Sequence, residues 1–261
     1  MVQAIVFDMD GVLYRGSRKI MGVPEEISRL QEKVAVLFLT NNATKSRSDY
    51  VKWLAIFGIR ASESEIMTSS FGCAHYIREK HGLKRKVFVI GEQGLKDELM
   101  LEAKARIVEG KGAKIVVCGL DRGITYKKYE NAMENLSSGA AFMLANSDPT
   151  LPKERGFAPG SGAIASVLIT ATGRKPDVTI GKPSTYLIDK LLQMHKLKPQ
   201  EAAFVGDRLE IDMRMANAVG MKSVLVLSGV AKRKDVKNAP ASDKPDIILS
   251  SAAKVGQALG I

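Results

Sequence analysis

Two acidic residues, Asp8 and Asp10, follow the apolar run Ala4–Phe7 near the start of the chain. A carboxylate can attack phosphorus only when its charge is offset and a proton donor serves the leaving group, so a pair of acids is useful at such a site. Residues i and i+2 of an extended chain share a side, which lets both face one phosphate. Gly11 then permits a sharp turn. The pair predicts phosphoryl chemistry, although an ordinary strand exit with two solvated acids would read the same.

A third acid lies far along the chain, where Asp207 follows the apolar run Ala202–Val205. Magnesium binds hard oxygen ligands and usually takes only one or two carboxylates besides water and substrate phosphate. Asp207 is therefore predicted to complete a Mg²⁺ site, with Asp212 holding a metal-bound water or orienting its neighbours. The alternative for Asp207 is a helix cap, because an aspartate there accepts hydrogen bonds from unpaired backbone N–H groups.

A phosphate dianion among carboxylates also needs positive charge and hydrogen-bond donors. Lys182 lies between a flexible glycine and a rigid proline, and Thr40 offers a hydroxyl and a backbone N–H after the run Val34–Leu39. Such groups bind phosphate well. A lone lysine is usually solvated and a lone threonine is usually structural. The prediction that these two bind phosphate therefore depends on their occurring in one ordered set with the aspartates.

The elements that must position these residues form an α/β pattern. Short apolar runs rich in Val and Ile alternate with amphipathic stretches, which is typical of a Rossmann-like parallel sheet with crossover helices. Ligands of such sheets bind beyond the carboxyl ends of the strands, so the polar exits should meet at one site. The later elements are predicted to be a helix over Thr44–Phe57, a helix after Asp207, strands over Ser223–Leu227 and Asp246–Leu249, and a loop over Lys232–Pro245.

The middle of the chain has three apolar runs of its own, which begin at Val87, Ile115 and Ala141. Turn-rich, charged stretches flank it, so we predict an inserted, smaller α/β cap domain over residues 83–176. Residues 1–82 and 177–261 would then form one discontinuous core. The loop Asn146–Gly160 is expected to lie over the active site and to contact substrate through Asp148, Lys153, Glu154 and Arg155; an ordinary exposed connection is the alternative.

The whole-chain composition excludes several classes of protein. The net charge is +11 over 261 residues, but the basic residues are scattered and not interleaved with aromatics, which argues against nucleic acid as a partner. No apolar run approaches the length of a membrane span, and Met1 leads directly into a strand, so we expect a cytoplasmic protein. Cys73 and Cys118 lack metal or redox spacing and are predicted to be buried thiols. The oligomeric state, a homodimer included, is left open.

Four motifs occur in a fixed order: DMDGV at Asp8–Val12, FLTNN at Phe38–Asn42, GKP at Gly181–Pro183, and GDRLEID at Gly206–Asp212. In this the sequence resembles the phosphatases of the haloacid dehalogenase (HAD) superfamily. The insertion, together with Gly119–Arg122, Thr125–Tyr126 and Ala171–Gly173, resembles the NagD and p-nitrophenyl phosphatase branch, which has a C2-type cap. The resemblance covers nearly the whole chain.

The resemblance implies a role for each motif residue and a small phosphorylated metabolite as substrate. Asp8 would be the nucleophile and Asp10 the general acid and base. The phosphoryl group would be bound by Thr40 and Lys182, with Asn41 and Asn42 lining the same pocket. Magnesium would be held by the carboxylates of Asp8 and Asp207 and by the Asp10 backbone carbonyl, with Asp212 behind them.

Two other functions remain to be separated from hydrolysis. A phosphotransferase of the same fold would pass the phosphoryl group to a second substrate instead of water. A phosphate-ligand sensor or receiver-like module would be phosphorylated but would turn over slowly. Asp10 argues against the receiver, which has no use for a general acid two residues after its phosphorylated aspartate.

Overall fold

A computed structural model describes residues 2–152 and 156–261. It divides into two compact units. The first unit comprises Met1–Thr40, Val51–Met67 and Lys182–Ile261, and the second comprises Asn41–Tyr50 and Thr68–Gly181. Among the described residues, no helix is both long enough and apolar enough to cross a membrane.

The strands, in chain order, are β1 (Ala4–Phe7), β2 (Tyr14–Arg15), β3 (Arg18–Lys19), β4 (Ala35–Thr40), β5 (Ile66–Thr68), β6 (Lys86–Ile90), β7 (Arg106–Ile107), β8 (Ile115–Cys118), β9 (Ala141–Leu144), β10 (Thr150–Pro152), β11 (Phe157–Pro159), β12 (Val178–Thr179), β13 (Ala202–Gly206), β14 (Lys222–Val226) and β15 (Ile247–Leu249). The α-helices are α1 (Val23–Gln31), α2 (Arg47–Ile56), α3 (Ser69–Lys80), α4 (Gln93–Glu102), α5 (Tyr126–Ser137), α6 (Ser161–Thr172), α7 (Tyr186–Met194), α8 (Arg214–Val219), α9 (Arg233–Asn238) and α10 (Val255–Leu259).

The sheet of the first unit has the strand order β15-β14-β13-β1-β4-β5. β1 lies between β13 and β4 and is parallel to both, with Phe7 beside Val205 on one side and Phe38 on the other. Every residue of β1 and β13 is buried, which explains why both read as unbroken apolar runs. The register brings the carboxyl ends of these three strands to one edge.

The second unit contains a parallel sheet of order β12-β9-β8-β6-β7. Alternate residues of its strands, such as Phe88 and Ile90, or Val116 and Cys118, join one buried apolar cluster with helices α5 and α6. Every second residue faces this cluster because successive side chains of a strand point to opposite faces of the sheet. β10 and β11 form a separate antiparallel hairpin.

The predicted α/β fold with a parallel sheet is confirmed, and each predicted strand lies within a few residues of its expected place. The helix expected to start at Thr44 starts at Arg47. The Ser46 hydroxyl accepts from the Asp49 N–H and the Asp49 carboxylate accepts from the Ser46 N–H, a capping box that sets the start. The helix expected after Asp207 is present as a π-helical turn, Leu209–Met213, followed by α8.

Two expected loops contain regular structure, so those predictions were wrong. Residues 232–245 include α9 and a 3-10 turn, Ala241–Asp243. The Asp235 carboxylate accepts from the Lys232 N–H at the start of α9, which supports a helix without any apolar stripe. The stretch Asn146–Gly160 includes the hairpin of β10 and β11, and its residues Lys153, Glu154 and Arg155 lie outside the described residues.

The two units differ in extent from the predicted domains. Residues 41–50 and 68–82, which the sequence placed in the core, cluster with the middle segment. The division into 1–82 with 177–261 and 83–176 as domains therefore stays a prediction.

Both cysteines are buried and unbonded, as predicted. Burial raises the pKa of both thiols, that of Cys118 to about 12 with a further contribution from Asp121.

Candidate active site

The candidate site is built at the edge of the first unit's sheet where β1, β4 and β13 end. Asp8 directly follows β1, Thr40 is the last residue of β4, and Asp207 directly follows β13. The shared register of the three strands brings these exits together, as the sequence predicts. Asp8, Thr40 and Asp207 are all buried.

Lys182 joins two of the predicted site residues through its ammonium group. Its Nζ lies 2.8 Å from Asp8 Oδ1 and donates to Asp212 Oδ1 at 2.7 Å. Its side chain is 2% exposed, so the lysine is a fixed charge at the site and not a solvated one. Although burial alone would lower the Lys182 pKa, the carboxylates of Asp212 and Asp8 raise it. Lys182 therefore remains protonated.

Asp8, Asp207 and Asp212 place one carboxylate oxygen each within 4.8 Å of one another. One lysine cannot balance three buried acids. Burial raises the pKa of Asp8 to about 7, which Lys182 partly opposes and Asp212 reinforces. Burial, with the charges of Asp212 and Asp8, also raises the pKa of Asp207. Hard oxygen ligands with excess negative charge are the donor set of a divalent cation, so the residues fit such an ion.

The Asp207 carboxylate lies in a narrow space bounded by two glycines. A Cβ on Gly229 would lie 1.8 Å from Asp207 Oδ2, and one on Gly11 would lie 2.3 Å from it. The same oxygen accepts a hydrogen bond from the Val230 N–H at 2.8 Å. Sequence reasoning missed Gly229 and Val230, although the Ser228-Gly229 pair directly after the predicted strand Ser223–Leu227 was an available signal.

The helix-cap alternative for Asp207 is wrong, because its carboxylate accepts from Val230 and not from the helix that follows. Asp212 Oδ2 accepts from the backbone N–H groups of Asp207 and Arg208, which precede that helix, at 3.1 Å each. With its other oxygen on Lys182, Asp212 has both oxygens engaged by the protein. This agrees with the orienting role predicted for it, which stays a prediction.

We expect Gly229→Ala to weaken metal binding. The new methyl group would collide with Asp207 Oδ2 and displace a predicted ligand, and disturbing the groups that hold a metal ligand lowers affinity about 10- to 100-fold. The measurement is activity against metal concentration, in which the variant should recover at high metal. Gly110→Ala is the control, since its Cβ would meet nothing within 4 Å. An unchanged metal requirement in Gly229→Ala would contradict the assignment.

Asp10 differs from Asp8 in its surroundings. β1 ends at Phe7, and the chain turns through Gly11, whose φ is 79°. Asp10 lies in this turn and is exposed to solvent, whereas Asp8 and Met9 are buried. A solvent-exposed carboxyl can exchange protons with water, which suits the predicted acid and base role.

Asn41 and Asn42 belong to the second unit. The side-chain oxygen Oδ1 of Asn42 accepts from the Thr44 N–H and hydroxyl at 2.9 and 2.8 Å, which forms a local turn. Asn41 is buried and donates from Nδ2 to Asp148 Oδ2 at 3.1 Å. Their place in a phosphate pocket stays a prediction.

The chain matches two family models. The model described as haloacid dehalogenase-like hydrolase matches residues 5–102, and a HAD-hydrolase-like model matches residues 179–255. A 4-nitrophenylphosphatase of Schizosaccharomyces pombe is 36% identical over 276 residues, which cover 97% of this chain and 92% of that protein.

Solved structures of similar proteins share the fold. A p-nitrophenyl phosphatase from Archaeoglobus fulgidus superposes with a TM-score of 0.91 at 32% identity and covers 98% of this chain and 99% of its own. A glycerol phosphate phosphatase from Mycobacterium tuberculosis, in complex with magnesium, has a TM-score of 0.91 at 30% identity and covers 98% of this chain and 77% of its own.

Proposed function

Since the chain belongs to the haloacid dehalogenase-like hydrolase family, we propose that it is a magnesium-dependent phosphatase that hydrolyses small phosphorylated metabolites through a phospho-aspartate on Asp8. The observation that supports this most directly is the buried group of Asp8, Lys182, Asp207 and Asp212, in which Asp8 and Asp207 directly follow the adjacent strands β1 and β13. It combines a nucleophile, a fixed cation and the donors of a metal site.

In the proposed mechanism, an oxygen of the Asp8 carboxylate attacks the phosphorus in line with the leaving group. The ammonium of Lys182, 2.8 Å from Asp8 Oδ1, favours the ionised nucleophile and is close enough to offset charge on the phosphoryl oxygens. Thr40 adds a hydroxyl and a backbone N–H. Magnesium held by Asp8, Asp207 and the Asp10 carbonyl would supply further positive charge to the phosphoryl group.

Asp10 would carry the proton in both half-reactions. It gives a proton to the departing alcohol, and then takes one from the water that hydrolyses the acyl phosphate on Asp8. The proton taken from water in the second step restores the acid form of Asp10 for the next turnover, and the exposure of the carboxyl gives water access to it. The buried Asp8 would thus be the nucleophile, and the exposed Asp10 would be the general acid and base.

The proposed substrate class is a small phosphomonoester. The similar proteins named above act on 4-nitrophenyl phosphate or glycerol phosphate, according to their names, and these leaving groups share little besides the ester bond to phosphate. Features common to this fold would therefore recognise the phosphoryl group. Selection among leaving groups is assigned to the second unit, including the stretch Asn146–Gly160.

The test is phosphate release by the purified chain from an aryl phosphate and from a panel of metabolite phosphates. We expect activity with magnesium, none in chelator, and inhibition by calcium, whose larger coordination shell can engage both oxygens of Asp8 and prevent attack. Added alcohol acceptors separate hydrolysis from transfer, because a phosphotransferase would form a new ester in place of phosphate. Full activity in chelator would contradict the metal assignment.

A further inference from the structure

The chain passes between the two units at four peptide bonds, and two of them involve predicted phosphate-binding residues. Thr40 of the first unit is bonded to Asn41 of the second, and Lys182 of the first unit is bonded to Gly181 of the second. Whatever fixes Asn41 and Gly181 inside the second unit therefore constrains the backbone on which Thr40 and Lys182 are carried.

Asn41 and Gly181 are packed against each other and against Asn146. A Cβ on Gly181 would lie 2.6 Å from Asn41 Oδ1 and 2.8 Å from both Asn146 Cβ and the Ala145 carbonyl oxygen. The Gly181 N–H donates to that Ala145 carbonyl at 2.8 Å. Only glycine allows this approach, so the two connections meet at the end of β9.

The Asn146 side chain forms the centre of this contact. Its Nδ2 donates to the Asn41 carbonyl oxygen at 2.7 Å, and the Ser69 hydroxyl donates to the same oxygen. Its Oδ1 accepts from the Asp148 N–H at 3.2 Å, and Asp148 Oδ2 in turn accepts from Asn41 Nδ2. Asn146 is 4% exposed, and both ends of its buried amide are satisfied.

The segment that carries Asn146 and Asp148 is itself held by the start of α6. The Gly162 N–H donates to the Asp148 carbonyl at 2.9 Å. A Cβ on Gly162 would lie 2.4 Å from the Ser147 carbonyl oxygen, so the glycine permits close packing of the two backbones. Asn146 therefore acts from a fixed position.

We infer that Asn146 is a positioning residue for phosphoryl transfer, because it fixes the backbone next to both Thr40 and Lys182. The inference rests on the proposed function, which assigns those two residues to the phosphoryl group. Small displacements of positioning groups have large effects on rate, about 10²-fold for 1 Å. Asn146 itself need not touch the substrate.

The test is Asn146→Asp, which keeps the shape but replaces the donor to the Asn41 carbonyl by an acceptor. We expect kcat to fall about tenfold or more, with a smaller change in KM, while the variant remains folded. The matched control is Asn135→Asp. Asn135 is also a buried asparagine of the second unit whose Nδ2 donates to backbone carbonyls, those of Gly110 and Asn131, away from both connections. The control should lose stability without losing kcat.

Equal kinetic losses in the two variants would overturn the inference. If Asn146→Asp does not fold, the variant to test is Ser69→Ala, because it removes the other donor to the Asn41 carbonyl. The inference then requires that kcat falls in Ser69→Ala. An unchanged kcat would contradict it. Failure of the proposed function would be seen separately, as absence of phosphate release by the wild type. In that case the positioning role of Asn146 is tested by the binding of inorganic phosphate. Weaker binding by Asn146→Asp than by Asn135→Asp would support the inference, and equal binding would reject it.

Discussion

Replacing Asp8 by asparagine should abolish phosphate release and leave the fold intact. The amide has the same shape as the carboxylate, but it is a poor nucleophile and a poor metal ligand. Stability should not fall in metal-free solution at neutral or higher pH. Burial raises the pKa of Asp8 to about 7, so ionising this group above that pH disfavours the folded state, and the amide removes that charge. Lys182 keeps Asp212 as its partner.

Two measurements check this prediction. Phosphate release should drop below a few per cent of wild type, and acid-quenched wild type, but not the variant, should carry a phosphoryl group on the peptide that contains residue 8. Asp189→Asn, at an exposed acid in the first turn of α7, is the control and should behave as wild type. Substantial turnover by Asp8→Asn would rule out the covalent mechanism.

Lys182→Met should impair both activity and stability. The substitution keeps a long side chain but leaves Asp8 and Asp212 without their shared buried cation. Removing one partner of a buried ion pair costs about 3 to 5 kcal/mol of the free energy of unfolding, since the remaining charge is uncompensated. Activity should also fall because the nucleophile and the phosphoryl oxygens lose a fixed positive charge.

The loss of stability should depend on pH in a defined direction. Without the lysine, the folded-state pKa of Asp8 rises further, so folded Lys182→Met binds more protons than folded wild type near and above pH 7. The free energy of unfolding of wild type minus that of Lys182→Met, measured by urea titration in chelator, should therefore be larger at pH 8 than at pH 5. The control is Lys222→Met, which removes an exposed ion pair with Asp246 and should cost at most about 1 kcal/mol. A pH-independent loss would contradict the assigned coupling.

Much of the fold can be read from the sequence because its central strands are buried on both faces. β1 and β13 appear as continuous apolar runs, and the polar residue after each marks the strand end. α9 could not be found this way, since Arg233–Asn238 has no buried residue and depends on the Lys232–Asp235 cap. The hairpin of β10 and β11 was hidden by its prolines at positions 152 and 159, which a strand pattern does not favour.

The residues of the candidate site could be predicted where a charged side chain carries out the chemistry. The sequence predicted that Asp8, Lys182, Asp207 and Asp212 lie together, and the structure places them in contact or within a few ångströms. The supporting groups were missed, because they act through backbone atoms, through the absence of a side chain in glycine, or through a partner far away in the sequence. Val230 contributes only its N–H, Gly229 only its lack of a Cβ, and Asn146 depends on a long-range partner, Asn41.

The two buried cysteines make the wild-type chain a convenient background for site-specific labelling. Thiol reagents react with the thiolate, and burial keeps both native thiols protonated and shielded. A cysteine introduced at Glu210 of the first unit or Lys127 of the second, where the native side chains are 54% and 75% exposed, should therefore be labelled selectively without first removing Cys73 and Cys118. Dyes placed at both positions would report the distance between the units during turnover by energy transfer, in a protein whose own core is unaltered.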